Sequence, residues 1–97
     1  MSKLITIYWR DIPAQVIGQE GRKRYKQVLD KRFAVAIDRA AMRAGRGSSD
    51  AYLEDWRREK SPCPGDAEQA VIDEVARLEN LFSDELLEKV VKSGGKI

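Results

Sequence analysis

The segment that most constrains this chain is Ile5–Val16, ITIYWRDIPAQV. Its first part is apolar, aromatic and β-branched, and large side chains fall on both alternating faces, which predicts a well-covered strand over Leu4–Trp9. Pro13 interrupts the pattern because proline has no amide donor and biases the preceding residue toward extended geometry. This junction places three side chains with binding chemistry at the rim of the fold: Trp9, Arg10 and Asp11.

The next segments predict a small sheet followed by a helix. Ala14–Ile17 resembles a second strand, Gly18–Gly21 a turn and Arg22–Leu29 a third strand, although the basic start of the last segment could instead begin a helix. Asp30 can cap the following helix, Lys31–Ala44, by accepting from its free first-turn amides. Apolar residues at helical spacing give this helix one buried stripe.

The second half of the chain predicts helices. A shorter one covers Asp50–Lys60, and the sequence SPCPG at Ser61–Gly65 breaks it. Asp66 with Gln69 resembles a capping box for the next helix, and Ser83 starts the last one. We therefore predict an α+β fold: a mainly antiparallel sheet of about three strands packed against helices in residues 1–60, with an acidic helical extension of the same domain in residues 61–97.

Composition excludes several classes of chemistry. The 97 residues contain no histidine and one cysteine, Cys63. Histidine general-base catalysis, nucleophile–histidine pairs and zinc sites built from Cys and His cannot form within this chain. The spacing of acidic residues matches no calcium loop, so we expect no catalytic residues, no metal and no cofactor. The short apolar run at the N-terminus ends at charged residues, which predicts a cytoplasmic protein without a membrane segment.

Charge is distributed unevenly along the chain. Residues 1–60 carry a net +6 and residues 61–97 a net −4, which gives the overall +2. This asymmetry suggests either that the acidic helices dock on the basic part or that two different faces meet partners.

A basic stripe on the predicted helix Lys31–Ala44 is one candidate binding surface. Arg32, Arg39 and Arg43 lie at steps of seven and four, and the basic segment Arg22–Lys26 could add to them. Such cations can hold phosphates or an acidic partner surface. The alternative is a helix face whose arginines pair with the acidic C-terminal helices.

Two aromatic clusters are the other candidates. Trp9, Arg10 and Asp11 could face a ligand, with Arg10 gripping an anion. Alternatively Trp9 lies in the core and Arg10 pairs with a carboxylate, such as Asp38 or Glu54, with Arg39 as another partner for Asp38. Tyr52 and Trp56 lie at helical spacing and form either a protein-binding anchor or part of the core.

Three blocks of the sequence resemble a known family. They are YWRDIPAQV, the pattern RF-x-x-AID-x-AAM-x-AG at Arg32–Gly45, and DAYLEDW at Asp50–Trp56. In this order they resemble the small bacterial "virulence factor" domain family over roughly residues 4–60. The resemblance implies no established enzymatic activity. Some members are short proteins encoded near one-carbon and corrinoid methyl-transfer enzymes, which implies an accessory role.

These observations predict a non-catalytic accessory or protein-interaction module whose partner is another protein. A small subunit or cofactor-handling factor for a methyl-transfer or tetrapyrrole enzyme, binding an anionic group through Arg10 and Arg39, is the first alternative. Nucleic-acid binding through the basic helix face is the second, and we do not expect it because the net charge is low and no recognisable module is present.

Overall fold

A computed structural model of the chain describes residues 2–46, 49–63 and 65–97 as an α+β fold. One antiparallel sheet has the strand order β3-β2-β1-β4, so it has four strands rather than about three. The strands are β1 (Ser2–Trp9), β2 (Ile12–Glu20), β3 (Lys23–Val28) and β4 (Trp56–Pro62). The helices are α1 (Lys31–Arg43), α2 (Ser49–Glu54), α3 (Ala67–Leu81) and α4 (Asp84–Lys92).

Helix α3 packs on one face of the sheet. Gly18 in β2 marks that face, because a Cβ at Gly18 would lie 2.7 Å from Val71 Cγ2 and 2.9 Å from the Ala67 carbonyl oxygen of α3. Its cross-strand partners Leu4 and Tyr25 share this face. Since side chains alternate along a strand, their neighbours in β1, β2 and β3 point to the other side of the sheet.

The core lies between the sheet and the helices. Trp9, Val16 and Phe33 are buried there, and they join a cluster that includes Val71 of α3 and Val90 of α4. Burial of such side chains is the main favourable contribution to folding. The acidic C-terminal helices thus pack on the sheet and on α1 of their own chain.

The first hairpin is longer than the sequence predicts. Gly18 does not begin a turn but lies within β2, which pairs with β1 from Ile12 to Glu20. The turn to β3 comes at Gly21, whose φ of +61° favours glycine. Gly18 is instead needed because α3 approaches the strand closely at this point.

The predicted helix Asp50–Lys60 was wrong in its second half. Only Ser49–Glu54 is helical, and Trp56–Pro62 forms strand β4. This strand pairs with β1 from Lys3 to Trp9, so it satisfies backbone groups of β1 that would otherwise be left on an open edge. Tertiary pairing therefore outweighs the local helix preference of this segment.

Helix caps follow the sequence in part. The Ser83 hydroxyl accepts from the Leu86 amide at 3.1 Å, as expected for the start of α4. Asp66 caps α3 by accepting from Glu68 N, while Gln69 donates to Asp73 rather than completing a capping box. Asp30 precedes α1 without a side-chain cap, because its carboxylate pairs with Arg32.

We expect Gly18→Ala to destabilise the fold. The added methyl group would meet Val71 and the backbone of Ala67, so the sheet and α3 must move apart. Overpacking of this kind costs about 1–3 kcal/mol, which urea unfolding measures directly. Gln19→Ala, at the next residue on the opposite face, is the matched control. Equal stabilities of the two variants would contradict the close approach.

Candidate interaction surfaces

The arginines of α1 are occupied by the C-terminal helices. Arg39 forms two hydrogen bonds to the Glu88 carboxylate, at 2.7 and 2.9 Å. Arg43 Nε donates to the Lys92 carbonyl at 3.0 Å. Arg32 donates to two carbonyls at the end of α3 and its loop and also pairs with Asp84. The stripe predicted as a binding surface therefore corresponds to the alternative in which the acidic helices dock on the basic part.

The ion pair Arg39–Glu88 joins a positive charge of α1 to a negative charge of α4. The hydrogen bond to Glu88 raises the pKa of the Arg39 guanidinium, and the hydrogen bond from Arg39 lowers the pKa of the Glu88 carboxyl. Both side chains are substantially exposed, so the pair orients α4 on α1 more than it stabilises the fold.

Trp9 lies in the core rather than at a ligand-facing rim. Its side chain is fully buried, and its indole Nε1 donates to the Tyr52 carbonyl at 3.0 Å. The Tyr52 ring stacks on it at a centroid distance of 6.0 Å. Gly95 approaches from the C-terminal side so closely that a Cβ would lie 2.7 Å from the indole ring.

Arg10 connects three parts of the chain. Its φ of +53° places a non-glycine residue in the left-handed region, which the surrounding contacts compensate. Nε donates to Asp55 Oδ2 at 3.2 Å, and an Nη atom donates to the Gly94 carbonyl at 2.8 Å. Arg10 thus pairs with a carboxylate, as one of the two alternatives predicts, but the partner is Asp55 rather than Asp38 or Glu54. Asp55 follows α2 and approaches the end of β1.

Asp11 completes the junction. Its carboxylate accepts from the Ile97 amide at 2.7 Å and from Arg57 at 3.4 Å, and its own amide donates to the Gly95 carbonyl at 2.8 Å. Arg57 also donates to the Arg10 carbonyl. Trp9, Arg10 and Asp11 are thus brought together, and their hydrogen bonds hold the C-terminal residues against the sheet.

Asp55 is the shared carboxylate of this junction. It accepts from Arg10 and, at 2.9 Å, from Arg46, and only 19% of its side chain is exposed. Partial burial alone would raise the pKa of the Asp55 carboxyl, but the hydrogen bonds from Arg46 and Arg10 outweigh that effect and hold the pKa below its ordinary value. Neither Arg10 nor Arg39 therefore offers a free guanidinium, and the structure does not bring the two together.

The face of the sheet opposite the helices carries a different set of cations. Cross-strand register aligns Lys3 with Gln19, Ile5 with Lys60, Ile7 with Arg58 and Ile17 with Lys26. We call this surface the open sheet face. Its charged members are exposed and form no ion pair among the described residues: Lys3, Arg24, Lys26, Arg58 and Lys60.

The centre of the open sheet face is apolar. Ile5 and Ile17 face each other on the two central strands and are only 4% and 5% exposed, although no helix covers them. Their neighbours Lys60 and Lys26 flank them with long aliphatic stems, which can shield apolar surface while the ammonium groups stay in water. A shallow depression of about 480 Å³ lies beside this centre, between Ile7 and Trp56.

The sequence located this surface only in part. Arg24 and Lys26 belong to the basic segment Arg22–Lys26, which the sequence predicts as part of a binding surface. Lys3, Arg58 and Lys60 were not predicted. Trp56, Arg58 and Lys60 are alternate residues, and alternate residues share a face only in a strand. Because the sequence predicts a helix here, this shared face could not be recognised.

Tyr52 and Trp56 lie side by side and are both half-buried, but Trp56 begins β4 instead of following Tyr52 in the predicted helix. Their rings meet edge to face, with centroids 5.7 Å apart and an interplanar angle of 86°. They pack against the core and retain partial access to solvent.

The described part of the chain has no group of three or more Cys, Asp and Glu residues arranged to hold a metal ion. None of its helices is both long and apolar enough to cross a membrane. Cys63 is buried, and its amide donates to the Ser2 carbonyl.

The fold and its surfaces define a small α+β domain with one helical layer and one open sheet face. A family model described as "Virulence factor" matches residues 7–91, so the chain belongs to the virulence factor family. The match extends beyond the region 4–60 that carried the resemblance and includes α3 and most of α4. No curated protein and no solved structure matches the chain.

We expect Asp55→Asn to lower stability because it removes the charge that two guanidiniums share. At neutral pH the free energy of unfolding should fall by about 1–2 kcal/mol, measured by urea unfolding. Glu54→Gln is the matched control: Glu54 pairs only with Arg46 and its side chain is 70% exposed, so a change below about 0.5 kcal/mol is expected.

The stabilising effect of Asp55 should depend on pH. Because its pKa is lowered in the folded state, its contribution is present above the pKa of an unfolded aspartate, about 3.9, and is lost as the pH falls through the folded value. The stability difference between the native protein and Asp55→Asn should therefore shrink below about pH 4. A difference that stays constant from neutral pH into strong acid would contradict this assignment.

Proposed function

We propose that this protein is a non-catalytic interaction module that docks an acidic, amphipathic segment of a partner protein on its open sheet face. The observation that carries the proposal is the combination on one surface of five exposed cations, which form no ion pair among the described residues, with the accessible aliphatic side chains of Ile7 and Val28. We further propose that it acts as an accessory protein of the cytoplasm, in line with its single, unpaired cysteine.

The charge pattern supports an acidic partner. The arginines of α1 already have carboxylate or carbonyl partners, whereas Lys26, Arg58 and Lys60 have none among the described residues. The acidic residues Glu20 and Glu59 alternate to the other face, so no carboxylate shares the register positions of the open sheet face. A complementary negative surface would be steered toward it and oriented by it.

The apolar centre supports a protein segment rather than a purely charged ligand. Ile7, which is half-buried, and the exposed Val28 offer aliphatic surface between the cations, while Ile5 and Ile17 are buried beside them. An amphipathic segment with both acidic and apolar side chains can match these features together.

Single-stranded nucleic acid fits the same surface less well. Proteins that bind such strands stack successive bases on aromatic rings. Within the described strands, the open sheet face carries no row of aromatic rings, and Trp56 at its border is half-buried against Tyr52. The net charge of +2 for the whole chain is also low for a nucleic-acid-binding domain.

The double variant Lys26→Glu/Lys60→Glu tests the proposal. The probe is a fluorescent peptide of alternating Glu and Leu residues, with a Lys-Leu peptide and an oligothymidylate of the same length as comparisons. The native protein should bind the acidic peptide preferentially and more weakly as salt rises, and the variant should lose about tenfold in affinity because attraction becomes repulsion.

The control variant Lys31→Glu/Lys96→Glu has the same net charge but changes exposed residues of α1 and the C-terminal segment. It should bind the acidic peptide like the native protein. The two variants are then compared as baits in native lysate, where a partner of this face is retained by the control and lost from Lys26→Glu/Lys60→Glu. Equal loss in both variants, or preferential binding of the oligothymidylate, would overturn the proposal.

A further inference from the structure

A small cleft lies at the end of the sheet where α1 meets the α2–β4 junction. Its volume is about 150 Å³, and its walls include Val28 of β3, Ile37 and Asp38 of α1, and Tyr52 and Trp56. Small-molecule sites are commonly about 300–1,000 Å³, so this cleft suits a single side-chain head group rather than a larger ligand. Its walls are apolar and aromatic apart from one carboxylate.

Two aromatic rings line the cleft. Tyr52 and Trp56 meet edge to face, at 86°, with centroids 5.7 Å apart, and one face of Tyr52 is stacked on Trp9. The face of an aromatic ring carries partial negative charge, so a cation in the cleft would use the remaining ring faces of this pair. Cages of aromatic rings are a common means of recognising organic ammonium groups.

Asp38 adds a full negative charge at the rim. It is exposed and forms neither an ion pair nor a hydrogen bond with the described residues. Its carboxylate lies near Tyr52: burial raises the pKa of the Tyr52 hydroxyl, and the charge of Asp38 raises it further. The predicted partners of Asp38 are engaged elsewhere, because Arg10 binds Asp55 and Arg39 binds Glu88.

We propose that this cleft binds an organic ammonium group, such as the alkylated head of a lysine side chain, between Tyr52, Trp56 and Asp38. The apolar walls accept the methyl or methylene groups, the rings stabilise the charge, and Asp38 supplies the counter-charge. A planar guanidinium is less suitable because it needs in-plane hydrogen-bond acceptors, and Asp38 is the one carboxylate among the lining residues. This site adjoins the open sheet face at Val28 and Trp56, but its ligand is a cation, so it does not depend on an acidic partner.

Choline and 3,3-dimethylbutan-1-ol test the proposal because they have the same shape and differ in charge. Binding is followed by NMR through the indole N–H signal of Trp56, with the buried Trp9 signal as an internal reference. Choline should produce a saturable shift of the Trp56 signal, and the neutral alcohol should bind at least about fivefold more weakly. Equal binding of the two compounds, or no saturable shift with choline, would overturn the proposal.

Asp38→Asn separates the charge of the cleft from its shape. Since Asp38 is exposed, the variant keeps the fold, and its affinity for choline should drop by about fivefold while the neutral alcohol is unaffected. Glu20→Gln removes the same charge at the opposite end of the sheet and should leave choline binding unchanged. A similar loss in both variants would assign choline binding to general electrostatics and refute the cleft.

Discussion

Trp9 connects parts of the chain that are far apart in the sequence. Its indole ring contacts Gly95 at the C-terminal end, its N–H donates to the Tyr52 carbonyl, and its strand pairs with Ile12 and Trp56. A buried tryptophan needs a partner for its N–H group, and Tyr52 supplies that partner while stacking on the ring. The hairpin, α2, β4 and the C-terminal residues are therefore all positioned with respect to one side chain.

The polar groups around Trp9 explain why its neighbours serve structure more than ligand binding. Arg10 and Asp11 bond to backbone groups of Gly94, Gly95 and Ile97. Each hydrogen bond satisfies a backbone N–H or C=O group that would otherwise need a water molecule as its partner. In the sequence, charged residues next to an aromatic residue resemble a ligand-binding site. In the fold, Arg10 and Asp11 instead connect the end of β1 to the segment that follows α4.

The periodic elements were predictable and the tertiary ones were not. The alternation in β1 and the helical spacing in α1, α3 and α4 identified those elements correctly. Strand β4 was missed because the segment after Asp50 contains good helix formers, and only its pairing with β1 makes it extended. For the same reason the face formed by Lys3, Arg58 and Lys60 could not be assembled from sequence. Periodicity placed Arg39 and Arg43 on one side of α1 but could not say that α4 covers them.

The contact between Gly95 and the Trp9 ring has a consequence for how the protein is made. The hydrogen bond from Arg10 to Gly94 joins residues 84 positions apart, so the cover over Trp9 forms only after Gly94 and Gly95 have left the ribosome. Until then the β1–β2 hairpin exists with its largest apolar ring uncovered. Contacts of such separation slow folding and leave apolar surface exposed to other chains during synthesis. The order of translation thus makes the docking of Gly94 and Gly95 on β1 a late step in covering Trp9.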